Sequence, residues 1–189
     1  ITNLVDVSFN ASDLILNFTP EDLSGSFTTT EIAQAGYPLT QLVAANFSVT
    51  DLADASFNAA DLTSVFTPSD LSGVYSTTEI AQAGYSVTDL VDASFNATDL
   101  ADASFNVTEL TSVFTPSDLS GVYSTTEIVG AGYTATELKD TFTPTDLSGS
   151  FTTTEIAQAG YSVSELADAS FNATELTSVF TPSDLSGSF

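Results

Sequence analysis

Carboxylates are the one abundant reactive group in this sequence: twenty-five Asp and Glu face a single base, Lys139, for a formal charge of -24 at pH 7. Two carboxyls held in unlike environments are the equipment of glycoside hydrolysis. Carboxylates aligned in columns are the hard oxygen ligands that calcium takes. Neither chemistry is singled out here, because the acids recur at equivalent positions and no EF-hand or RTX-type spacing is present. With no His, Cys, Met or Trp, thiolate and imidazole metal ligands, disulfides and an imidazole general base are all excluded. A chain without a basic surface has nothing to neutralise phosphates, which argues against nucleic-acid binding and against attraction to an anionic membrane. Lys139, next to Asp140, reads as a surface ion pair rather than a catalytic amine. The 42% hydrophobic content is too high for a disordered acidic tail. No apolar run approaches the roughly 20 residues that span a bilayer, and no signal peptide is visible.

What positions the acids is a tandem repeat. Residues 57–104 repeat 9–56 at an offset of 48, and FTPSDLSGVYSTTEI stands at 66–80 and again at 114–128. A shorter unit lies beneath: an aromatic residue, usually Ser, Thr or Asn, any residue, usually Ser or Thr, then Asp or Glu, then Leu or Ile, then a short tail. Nineteen full units run from Phe9 to Ser188, and Phe189 opens another. The aromatic-to-aliphatic spacing is always five residues. The aliphatic-to-aromatic spacing is four in ten units and five in nine.

A rigid first half and an elastic second half are what a helix start demands. In Phe95-Asn96-Ala97-Thr98-Asp99-Leu100 the Asn stands as N-cap, the Asp at N3, and Phe and Leu at N′ and N4, a capping box inside a hydrophobic staple. The cap is Ser, Thr or Asn in eighteen units, with Pro38 the exception, and N3 is acidic in eighteen, with Gln41 the exception. Five prolines, Pro20, Pro68, Pro116, Pro144 and Pro182, stand at N1, where a missing amide proton costs nothing. Eighteen acids are thus N3 residues, leaving Asp6, Glu21, Asp54, Asp92, Asp102, Asp140 and Asp168. The fold predicted is all-α, a solenoid of very short capped helices, about six to eight residues each. Helices this short are marginal alone, so staple pairs such as Phe66 with Leu71 and Tyr85 with Leu90 are the structural residues. Gly36, Gly84, Gly132 and Gly160, each just before an aromatic, are placed for left-handed C-caps.

A rival architecture comes from a resemblance. Ser69-Asp70-Leu71-Ser72-Gly73 and Thr98-Asp99-Leu100-Ala101-Asp102 resemble the pentapeptide-repeat family, which implies a right-handed quadrilateral β-helix. The sequence departs from that pattern in two ways. Ten of the nineteen units have lost a residue from one face, and the acid precedes Leu or Ile but never the aromatic.

Residues 1–189 read as one continuous array. Ile1-Thr2-Asn3-Leu4 matches the interior of a unit and Phe189 begins one that is not completed, so the expectation is a longer array or copies stacked end to end. Asn10, Asn17, Asn46, Asn96, Asn106 and Asn172 lie in Asn-x-Ser/Thr, the N-glycosylation acceptor. At Asn10, Asn96, Asn106 and Asn172 an Asn cap followed by Ser or Thr creates the motif automatically, which leaves Asn17 and Asn46 as the stronger acceptors. The functional expectation is a non-enzymatic structural protein: an acidic extracellular fibre or surface stalk, glycan-coated, with no cofactor beyond loosely bound divalent cations and with itself as partner. The alternatives are an acidic rod that mimics nucleic acid toward a basic partner, and a divalent-ion- or ice-binding surface.

Overall fold

The structure, a computed structural model, describes residues 9–189. They hold nineteen helices, one per unit, from Ala11–Leu14 to Pro182–Leu185, and no strand among the described residues. The chain is therefore helical, and extended five-residue faces of the quadrilateral β-helix are not found among the described residues. The reason is local. Each cap residue is extended, as at Ser48 with ψ 164, and the chain turns helical immediately after it because the cap side chain already satisfies an amide of the first turn. What survives of the resemblance is the tandem pattern alone.

The helices are four to six residues long, so that only the longest reach the six to eight expected. Where the buried aliphatic residue is Leu, they stop early because its carbonyl is taken by the next unit's aromatic amide. In nine-residue units that amide lies four residues on: Phe66 donates to Leu62 at 3.0 Å and Tyr75 to Leu71 at 3.1 Å. In five ten-residue units it lies five residues on, as in Phe57 to Leu52 at 3.0 Å and Phe105 to Leu100 at 2.9 Å. The residue before the aromatic then adopts positive φ: Asn46 (63°), Ser56 (73°), Ser94 (72°), Ser104 (72°) and Ser170 (70°). Its own amide closes the inner bond of a Schellman motif, as in Ser56 to Ala53 at 2.8 Å. The extra residue is thus absorbed by one left-handed step. The other four ten-residue units carry Ile in place of Leu and end, as expected, on Gly36, Gly84, Gly132 and Gly160, with φ from 97° to 107°. That angle lies beyond the left-handed basin open to side-chain-bearing residues.

The described residues fall into two compact halves, divided between Phe95 and Asn96. Within each half the closest packing joins helices two units apart. In the first, Thr29–Ala33 packs on Ala11–Leu14 and on Val49–Asp54; in the second, Thr153–Gln158 packs on Ala135–Leu138 and on Ala173–Leu176. Two units therefore make one coil of a helical solenoid in each half. The core is one buried Leu or Ile from every unit, from Leu14 to Leu185, each at most 5% exposed. Burying such a side chain contributes about 1.5–3 kcal/mol, which holds helices that nucleation alone would not sustain. Between these lie Ala, Val and Pro at N1, among them Ala59, Val107 and Pro68. Apart from tyrosine, no polar or charged residue is buried among the described residues.

Candidate functional site

Eighteen of the nineteen described helices carry a complete capping box; the exception is the helix Leu39–Ala44, whose cap is Pro38. At Thr67 the threonine hydroxyl accepts from the Asp70 amide at 3.3 Å. Asp70 Oδ2 in turn accepts from the Thr67 amide at 2.8 Å and from its hydroxyl at 2.6 Å. Each N3 carboxylate is thus committed to its own helix start.

Those bonds hold the carboxyls of Asp70, Glu79, Asp118, Glu127, Glu137, Glu155, Glu165 and Asp184 below their ordinary values, the cap hydroxyl acting most strongly and the cap amide next. At Asp22 and Glu31 the order is reversed, with the cap amide first. A carboxyl lowered on folding adds stability that is fully present above its ordinary value, 3.8 for Asp and 4.5 for Glu. That stability is lost as the pH falls through the lowered value. No group of three or more Asp or Glu is arranged to hold a metal ion among the described residues.

The remaining acids are solvent-facing: Glu21, Asp54, Asp92, Asp102, Asp140 and Asp168 are all exposed. Asp6 lies outside the described residues, as does the Ile1–Leu4 match to a unit interior. Lys139 Nζ stands 3.7 Å from Asp140 Oδ1, the ion pair expected, with the Asp side chain 94% exposed. An exposed pair of this kind contributes little to stability.

Of the staple residues, Leu71 and Leu90 are fully buried, while Phe66 and Tyr85 are half-buried. The structure gives the aromatics a further role that the sequence did not reveal. All six tyrosines donate their hydroxyls to the backbone carbonyl of the aromatic residue two units back. The bonds run Tyr37 to Phe18 (2.6 Å), Tyr75 to Phe57 (2.5 Å), Tyr85 to Phe66 (2.7 Å), Tyr123 to Phe105 (2.5 Å), Tyr133 to Phe114 (2.5 Å) and Tyr161 to Phe142 (2.6 Å). Each ties one coil to the next. Burial, reinforced by nearby carboxylates, raises all six phenols above 10.0, and Tyr161 is pushed up to about 12. Spacing could not reveal this, since Phe and Tyr occupy the same place in the unit.

The six Asn-x-Ser/Thr asparagines are all exposed. At Asn10, Asn96, Asn106 and Asn172 the cap bond uses Oδ1, leaving Nδ2, the atom a glycan would modify, outside the cap. Asn46 holds one of the left-handed positions, and Asn17 sits in the turn after Leu14, its amide bonded to that carbonyl at 3.0 Å.

Open clefts recur where an aromatic pair joined by a tyrosine bond meets the acids of the later unit. The cleft at Phe66 and Tyr85 has a volume of 440 Å³ and is lined by Thr63, Thr67, Asp89 and Asp92. Forty-eight residues on, at Phe114 and Tyr133, the same positions line 540 Å³, with Glu137 and Asp140 as the acids. At Phe142 and Tyr161 the cleft is 340 Å³, with Glu165 and Asp168, and Lys139 stands at the position of Thr63. No helix of the described residues is long and apolar enough to cross a membrane. Against known proteins, neither a family, nor a curated protein, nor a solved structure matches this chain.

Proposed function

We propose that the chain is a structural protein: an acidic extracellular fibre or surface stalk whose function is its regular repetition, with itself as partner and with glycans on its exposed asparagines. The observation that carries this reading is uniformity. Nineteen units repeat one short helix around one buried aliphatic side chain, and among the described residues no carboxylate is buried, as the acid of a hydrolytic pair would be. Stability in such an array is the sum of unit and interface contributions, so it suits length rather than a single reacting centre. The high negative charge opposes sideways association, which favours growth along the array.

Negative-stain electron microscopy of the protein from its native source tests this directly. Filaments or surface-attached stalks, bearing glycans by mass spectrometry at Asn17 and Asn46, are the expected result. Dispersed particles without glycan, or a turnover that is lost when one carboxylate alone is replaced, would overturn it.

A further inference from the structure

The three equivalent clefts differ in one informative respect. In the cleft at Tyr161 the chain supplies its own occupant: Lys139 Nζ lies over the Tyr161 ring, 6.0 Å from its centroid, at the reach of a cation–π contact. A methyl group placed on Gly160 would lie 3.8 Å from both Cδ and Cε of Lys139, so the lysine stem runs along that glycine. At Gly84 and Gly132, the corresponding glycines beside Tyr85 and Tyr133, such a methyl would meet nothing within 4 Å. The cleft containing Lys139 is also the smallest of the three, at 340 Å³ against 440 and 540 Å³. Where Lys139 stands in one cleft, Thr63 and Thr111 stand in the others, too short to fill the channel along the glycine.

We propose that the clefts at Tyr85 and Tyr133 each bind a primary alkylammonium group, from a free amine or from a lysine side chain, in the way the chain's own Lys139 lies against Tyr161. The ammonium sits over the tyrosine face. Its methylenes run along Gly84 or Gly132, and the charge meets Asp89 and Asp92 in one cleft, Glu137 and Asp140 in the other.

The test is a titration of the whole chain with n-butylammonium chloride, followed by NMR of assigned backbone amides. Sodium chloride at matched ionic strength controls for charge alone, and n-butanol for the alkyl chain alone. Saturable shifts confined to the residues lining the clefts at Tyr85 and Tyr133 are expected, stronger than with either control, with the cleft at Tyr161 silent. Lys139→Thr should add a response around Tyr161, and Thr63→Lys should remove the one around Tyr85. Shifts no larger than those from sodium chloride, shifts spread evenly over all units, or a Tyr85 response that survives Thr63→Lys would each overturn the proposal. A second arm with a blocked lysine-containing tripeptide identifies the source: the same local shifts show that a lysine side chain is accepted, and their absence beside a positive butylammonium arm restricts the site to free amines.

Discussion

The head of each unit, from aromatic to aliphatic, and its tail, from aliphatic to the next aromatic, are built under different constraints. In the head, partners stand at fixed distances along the chain: the cap with N3, and the cap carbonyl with the N4 amide, as in Leu52 to Ser48 at 3.1 Å, or with the N3 amide, as in Asp61 to Asn58 at 3.1 Å. Inserting one residue there would break the capping box and turn the aliphatic side chain out of the core together. In the Leu units the tail has to satisfy only its two ends, the aliphatic carbonyl and the next aromatic amide. A helical turn spans them with four residues, and a left-handed step spans them with five. Length variation is therefore confined to the segment that has more than one backbone closure.

The largest difference between head and tail is expected at the buried end of the head. Leu100→Ala should cost about 2–5 kcal/mol in denaturant unfolding, whereas truncating a half-buried tail residue such as Val65 should cost far less. Equal effects would mean that the core is not organised by heads. Next comes alkaline pH, which acts on the bonds between coils. A phenol raised on folding contributes stability that is complete below its ordinary value of 10.0 and is lost as the pH rises through the raised one. Ultraviolet titration of the phenolates should therefore show ionisation delayed beyond pH 10, up to about 12 for Tyr161, with circular dichroism lost in the same interval. In the tail, Gly84→Ala forces a Cβ onto φ 104° and should cost about 1–3 kcal/mol. Thr67→Ala removes one cap and should cost about 1 kcal/mol, and the variant should lose less stability than the parent on acidification, because Asp70 then has less to lose. Smallest is Ser56→Gly. It relieves a left-handed serine but adds unfolded-state entropy, so its effect on the melting temperature should be slight, whereas Ser56→Val, branched at Cβ, should lower it clearly.

Legibility follows the same division. The heads were readable because caps are chemically specific: Thr67, Asp70 and Pro68 each announce one helical position. The glycine-ended tails were readable for the same reason, since Gly84 just before Tyr85 has few other uses. Ser56, Ser94, Ser104 and Ser170 were not, because a serine in a left-handed position looks like any other serine until the backbone is seen. The N1 position, open to any residue in the repeat formula, proved buried wherever it holds Ala59, Val107 or Pro68 but exposed at Thr77 and Thr125. Its burial depends on what the neighbouring coil presents, which spacing does not record. Least legible was the pairing of each unit with the one two places on. Every unit offers the same aromatic and the same Leu or Ile, so nothing local distinguishes the adjacent unit from the next but one; the tyrosine bonds express that choice.

The two-unit coil has a consequence for how such a chain lengthens. Within the N-terminal half, the 48-residue repetition that relates 57–95 to 9–47 contains five units, while a coil contains two. Five is odd, so corresponding segments alternate sides: the Phe18–Tyr37 bond joins the second and fourth units, and its counterpart Phe66–Tyr85 joins the seventh and ninth. Duplicating 48 residues hands every motif to the opposite flank. The two flanks of that half must then remain interchangeable, and a surface specialised on one of them would not be reproduced on the same flank by the next copy.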